Sequence, residues 1–264
     1  VLVAQISDTH ICRAGELYKG VSDSNGKLRD AIAHFYRLDL RPDLVLLTGD
    51  IACDGAAEEY DVARELLREL TIPLMVIPGN HDDREAFRAA FSDHEYLPKA
   101  GPLHYAIYAP PLRIIGLDSS VPGKHHGAIE PLGLEWLAAT LAADTTTPTL
   151  VMMHHPPFVS GIPYMDPYRY IEDDVLGSLL GRFANIEAVL CGHVHRPMIR
   201  RWAGTVVMAC PSTTTEIALQ LQADAKPQSF QGPSACMLHL WNPEVGLVSH
   251  TSYIGKYPGP YPFF

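Results

Sequence analysis

A chain of 264 residues, 47% hydrophobic and 19% charged, has the balance of a globular protein with a sizeable core. Its 20 Lys and Arg residues against 30 acids leave a net charge of −10, which argues against a dedicated nucleic-acid binder. No apolar run approaches the roughly 20 residues needed to cross a bilayer, so no membrane partner is expected.

The first element is "VLVAQIS" (1–7), read as a strand. It is too short for a signal-peptide core and lacks a basic flank, so a cytoplasmic location is the expectation. Apolar residues at Leu28, Ile32, Phe35 and Leu38 predict a helix over about 24–40. "DLVLLTG" (43–49) is a second strand, and "AAEEYDVARELLREL" (56–70) a helix with its acids placed early, where the helix dipole favours them. "PLMVIPG" (73–79) is a third strand, followed by a short helix through Phe87 and Phe91. "LHYAIYA" (103–109) and "LRIIGLD" (112–118) form a hairpin around Pro110-Pro111, which cannot donate to a ladder.

A helix over about 131–141, a strand "PTLVMM" (148–153), a helix near 172–184 and a strand "EAVLC" (187–191) follow. The helical signal then fades into the strands "TVVMAC" (205–210), "ACMLHLW" (235–241) and "GLVSHTSY" (246–253). Residues 211–234 are polar and without period, an excursion and a candidate oligomer contact; "YPGPYPFF" is too proline-rich for regular structure. Alternation of strands and helices gives an α/β class, and no linker separates a second unit, so one domain over 1–264 is expected. The five cysteines lack C-x-x-C spacing and read as reduced thiols.

Five apolar runs end in ligand-type residues. They are followed by Asp8-Thr9-His10, by Asp50, by Asn80-His81-Asp82, by His154-His155, and by Gly192-His193-Val194-His195. In open α/β sheets, sites form beyond the carboxyl ends of the strands, so parallel strands would deliver these residues to one edge. With His81 set aside, the set is Asp8, His10, Asp50, Asn80, His154, His193 and His195. That is too many donors for one tetrahedral zinc, and it suits two ions bridged by a carboxylate. The mixture of oxygen and imidazole favours Mn, Fe or Zn over Mg or Ca. Gly49, Gly79 and Gly192 precede ligands where the chain must turn sharply.

The motifs D-T-H (8–10), G-D (49–50), G-N-H-D (79–82), His154 and G-H-V-H (192–195) resemble, in order, those of the calcineurin-like metallophosphoesterases. "ISDTH", "LTGDI", "IPGNHDD", "MHHPP" and "MDP" are most similar to the bacterial branch of glycerophosphodiesterases and class III cyclic-nucleotide phosphodiesterases. The resemblance implies two packed β-sheets flanked by helices and two divalent ions. Asp8, His10, Asp50 and His195 would hold one ion; Asp50, Asn80, His154 and His193 would hold the other. His81 would face the phosphoryl group as the catalytic residue, with Asn80 also touching substrate. The implied reaction is hydrolysis of a small phosphodiester by a hydroxide held between the ions, and related enzymes are often homo-oligomers. Purple acid phosphatases carry a ligand Tyr where this chain has Cys53, which disfavours that branch.

His155 is expected to orient a neighbour or pack, and Asp82 to be either a supporting partner in the site or the cap of the helix after it. Arg13, Arg84 and Arg196 lie near the motifs, and Tyr18, Tyr164, Tyr168 and Tyr170 are candidates to shape a leaving-group pocket. Sparse cations favour a diester over a monoester dianion. The alternatives are a phosphomonoesterase or phosphoprotein phosphatase of the same superfamily, a nuclease, and a non-catalytic scaffold.

Overall fold

A computed structural model describes residues 1–263. In chain order the first half comprises β1 (Leu2–Ile6), α1 (Ser24–Arg37), β2 (Leu44–Thr48), α2 (Ala57–Leu67), β3 (Leu74–Ile77), α3 (Arg84–Ala90), β4 (Tyr105–Ala109) and β5 (Leu112–Leu117). Then come α4 (Pro131–Ala143), β6 (Thr149–Met153), α5 (Asp173–Leu180), β7 (Ile186–Cys191), β8 (Met198–Trp202) and β9 (Thr205–Ala209). The last strands are β10 (Glu216–Ile217), β11 (Ser229–Phe230), β12 (Ala235–Asn242) and β13 (Gly246–Tyr253).

One sheet has the order β13-β12-β1-β2-β3 and the other β4-β5-β6-β7-β9-β8. Strands β1, β2 and β3 are parallel, as are β5, β6, β7 and β9. These central strands are buried on both faces, which is why they read as unbroken apolar runs. Strand periodicity divides the second sheet cleanly. Ile114, Leu150, Met152, Ala188, Leu190 and Met208 pack toward the first sheet. Ile115, Leu117, Val151, Met153, Val189 and Ala209 pack with Leu137 and Leu141 of α4 and Leu176 and Leu180 of α5. Helices α1, α2 and α3 cover the first sheet, through residues such as Leu28, Ile32 and Phe35 at helical spacing. The result is a four-layered α/β arrangement of two packed sheets flanked by helices.

A polar seam joins the layers. Gln5 on β1 donates from Nε2 to Thr48 Oγ1 (2.9 Å) and to the Cys191 carbonyl of the opposite sheet (3.0 Å). Its Oε1 accepts from His239 Nε2 on β12 (3.1 Å), and Ser249 Oγ lies 2.7 Å from His239 Nδ1. Burial pushes His239 down to about 3, so the ring is neutral.

Two features depart from the expected pattern. Helix α1 stops at Arg37, because Leu38 turns extended and Leu40 lies on the surface. Residues 198–202 form β8, an edge strand exposing Arg200 and Arg201, and 211–234 contains the short β10–β11 pair. No described helix is long and apolar enough to cross a membrane.

Candidate metal centre

All seven expected donors converge. The loops beyond β1, β2 and β3 bring Asp8, His10, Asp50 and Asn80; those beyond β6 and β7 bring His154, His193 and His195. The turns are tight. Seven non-glycine residues among those described have positive φ, and five of them are Asp8, His10, Asp50, His193 and His195. Such left-handed backbone is unfavourable for residues with a Cβ and persists where the surroundings impose it, typically at functional sites. Gly49 also has positive φ, at +93°, and a Cβ there would meet His154 Nδ1 at 2.4 Å. At Gly79 and Gly192 space decides instead: an added Cβ would lie 2.2 Å from Asp50 Oδ1 and 2.0 Å from Ser7 Oγ.

The contacts fall into two linked halves. His195 Nε2 lies 3.3 Å from Asp8 Oδ1 and 3.1 Å from His10 Nε2, which is 3.8 Å from Asp50 Oδ2. His154 Nε2 lies 3.3 Å from the same Asp50 oxygen, and His193 Nδ1 lies 2.9 Å from Asn80 Oδ1. Asp50 touches both halves.

Hydrogen bonds outside the cluster fix the rings. His154 Nδ1–H donates to the Thr48 carbonyl and His195 Nδ1–H to the Thr215 carbonyl, each at 2.8 Å. The proton is then on Nδ1, and each Nε2 turns a lone pair toward a carboxylate. Two lone pairs facing at that distance are repulsive unless a cation lies between them or the ring takes a second proton. The electrostatics point the same way. Burial opposes charge on His154, yet Asp50 and Asp8 pull it up to about 9; His195 is also raised, by Asp8 against the same burial. Burial would raise Asp50, but His154 and His81 hold it well below the usual carboxylate range. Both carboxylates are buried, and their ion-pair contacts among the described residues are all to histidines. The donor set therefore fits divalent cations.

His81 is oriented from behind. Its backbone N–H donates to Asp50 Oδ1 (2.8 Å), and its Nδ1–H donates to the Cys53 carbonyl (2.7 Å), which leaves Nε2 for the cavity the ring lines. Asp82 is a brace: its carboxylate accepts from the backbone amides of Ile51, Ala52 and Gly79 and from Tyr60 Oη. The cap of α3 is Asp83, which accepts from the Glu85 and Ala86 amides. His155 is buried with both nitrogens engaged, by Ser119 Oγ at 2.8 Å and the His125 carbonyl at 3.2 Å; it packs and supports.

The cluster opens into a cavity of about 690 Å³ lined by Asp50, Asn80, His81, His193 and His195. Tyr18, Tyr164 and Tyr168 line it too, and Tyr18 stacks on His10 at 4.3 Å between ring centroids. Tyr170 is instead buried in the core beneath α5. None of the arginines near the motifs is free: Arg84 pairs with Asp118 (2.8 Å), Arg196 with Glu216 (2.5 Å) and Arg13 with Glu16 and Glu59. Among the described residues, the Lys or Arg lining the cavity is Lys19 alone.

Three contributors escaped the sequence reading. Ser212 Oγ donates to the Asp8 carbonyl (2.8 Å), Thr215 anchors His195, and His125 lines the cavity beside Asn80. Ser212 and Thr215 follow β9, and His125 lies in the loop after β5; the strand-end rule extended to those two strands would have marked both segments.

With this geometry established, comparison with known proteins decides the family. Residues 1–197 match the calcineurin-like phosphoesterase family. The chain belongs to that family. A protein of Arcobacter nitrofigilis named "probable glycerophosphodiester phosphodiesterase GpdQ" is 40% identical over 265 residues, 100% of this chain and 97% of its own. The 3',5'-cyclic adenosine monophosphate phosphodiesterase CpdA of Escherichia coli K12 is 31% identical over 222 residues, 82% of this chain and 77% of its own. Among solved structures, a dimetal phosphatase from Danio rerio superposes with a TM-score of 0.64 at 14% identity, covering 96% of this chain and 99% of that one; this likeness shows the shared fold.

Proposed function

We propose that the cavity hydrolyses small phosphodiesters, glycerophosphodiesters or cyclic nucleotides, with two divalent ions. The protein is a metal-dependent phosphodiesterase. In this reading Asp8, His10, Asp50 and His195 hold one ion, and Asp50, Asn80, His154 and His193 the other, with Asp50 shared. The observation that carries it is the buried cluster of carboxylates and imidazoles whose lone pairs face one another at the floor of the cavity. When bound, the ions supply Lewis acidity toward phosphoryl oxygens and bring the pKa of water into the neutral range. The donor set favours Mn, Fe or Zn.

The chain's own part follows from its placement. His81, whose Nδ1–H is held by the Cys53 carbonyl, turns Nε2 toward the bound ester; in its doubly protonated form it donates that Nε2–H to a phosphoryl oxygen or to the leaving oxygen. Tyr18, Tyr164 and Tyr168, which line the cavity, enclose the ester substituents and limit water. Pairing of Arg13, Arg84 and Arg196 with acids leaves little fixed positive charge, which suits a singly charged diester better than a dianion. The names of the two relatives support the same substrate class.

We further read 1–264 as one domain, and a homo-oligomer is favoured by Leu219, Leu221 and Phe230, exposed in and beside the β10–β11 hairpin. The free thiols of all five cysteines fit a cytoplasmic enzyme. The test of function is turnover of a chromogenic phosphodiester and its matching monoester by metal-stripped protein, before and after Mn²⁺ is restored. Mn²⁺-dependent turnover preferring the diester is expected, followed by a panel of natural diesters. A monoester preference would replace the diesterase reading with a phosphatase, and metal binding without turnover would leave a scaffold.

A further inference from the structure

We propose that His125 is a positioning residue for the phosphodiester, locking the Asn80 amide and presenting its own Nε2–H to the bound ester. The proposal rests on the two-ion reading above, in which Asn80 turns Oδ1 to an ion.

An amide that gives its oxygen to a cation is left with its Nδ2 hydrogens, and Asn80 Nδ2 lies 3.3 Å from His125 Nδ1. An imidazole nitrogen that accepts carries no proton, so the neutral ring must hold its proton on Nε2. Among the described residues no hydrogen bond occupies that Nε2, and the ring lines the cavity. It sits 6.0 Å from the His81 ring and 5.8 Å, edge-on, from that of Tyr168. His81 and His125 thus line the cavity together with Asn80, and among the described residues no hydrogen bond takes the Nε2 of either ring. The side chain is exposed, but the backbone beneath it is not loose. The His125 carbonyl accepts from buried His155, Gly127 bonds to Arg169 and Ile171, and Ala128 to Ser119. A Cβ at Gly127 would meet the His155 ring at 2.5 Å, so the segment is seated directly on that ring. This is a built position rather than a surface loop that happens to pass the site.

Three variants separate the two duties, since Asn mimics the Nδ1 side of a histidine and Gln the Nε2 side. For each, Mn²⁺ affinity is read by calorimetric titration of stripped protein, and kcat and KM with the chromogenic diester. In His125→Phe the weaker Mn²⁺ site should lose about tenfold in affinity and KM should rise. His125→Asn should recover the affinity but not KM; His125→Gln should recover KM more than affinity. An unchanged melting temperature shows that all three are folded. Affinity and KM within twofold of wild type in His125→Phe would overturn the proposal while the two-ion reading stands. Wild-type protein that takes up fewer than two Mn²⁺ would overturn both, and affinity lost equally in all three variants would leave a merely structural side chain.

Discussion

Asp82 and Asp83 are neighbouring acids, and only one of them caps a helix. Both types of carboxyl fit the start of α3 in sequence, and a shift of one residue is below what spacing resolves. The three-dimensional arrangement assigns the cap to Asp83 and gives Asp82 four donors, three of them amides in the loops that carry Asp50 and Asn80. Asp82→Asn replaces an acceptor with an N–H facing those amides, and should cost about 1–3 kcal/mol in urea unfolding. His81→Ala should lower kcat by about 10²–10³-fold with both Mn²⁺ retained by elemental analysis, whereas Asn80→Ala should empty one site. Loss of both ions in the His81 variant would undo that division. Gly79→Ala drives a methyl into the Asp50 carboxylate and should lower Mn²⁺ affinity at least about tenfold. The seven candidate donors were legible because each follows an apolar run that was read as a strand end; Ser212, Thr215 and His125 also follow strands, but they reach the site through single contacts to residues far away in the chain, so their residue types alone did not mark them.

At the scale of elements, the central strands and helices were legible because burial on both faces or one stripe leaves a periodic trace. Strand β8 left none: as an edge strand it exposes Ile199, Arg200 and Arg201, and its ends, Met198 and Trp202, pack against the core. The β10–β11 pair is two residues per strand, too short to show alternation. Its surroundings nevertheless wall the cavity with Ile217, Pro227, Gln228 and Ser229, and Tyr164 Oη bonds the Ala218 carbonyl at 2.8 Å. Replacing residues 218–228 with a short glycine-serine turn keeps Thr215 and every donor. We expect Mn²⁺ stoichiometry to be preserved and KM for bulky diesters to rise more than kcat falls. A loss of metal in that variant would show that the hairpin holds the site together instead of shaping it.

At the scale of the whole molecule, a polar seam joins the two sheets; it also went unread because Gln5 sits inside an apolar run. His239 titrates near 6.5 when unfolded and near 3 when folded. The folded value is the lower one, so its stability contribution is complete above pH 6.5 and is lost as pH falls from 6.5 toward 3. At pH 5 the loss from this ring is about 2 kcal/mol. Urea unfolding of metal-free wild type and His239→Gln at pH 7.5 and 5 checks this: the variant should lose less stability by that amount. Equal losses would acquit the ring. Metal adds stability in turn, by about 2.7 kcal/mol at a hundredfold excess over Kd, which a melting curve with and without Mn²⁺ would register as a rise of several degrees.

The family match spans residues 1–197, and all seven donors lie inside it; the wall residues Thr215, Ile217 and 227–229 lie outside. The candidate ligands thus come from one stretch of the chain and the cavity wall from both, since Tyr18, Tyr164 and Tyr168 lie inside the matched residues. A change confined to 227–229 would alter the wall while replacing none of the candidate ligands. Two enzymes with the same ion-holding motifs would then part ways in diet through a handful of wall residues late in the chain.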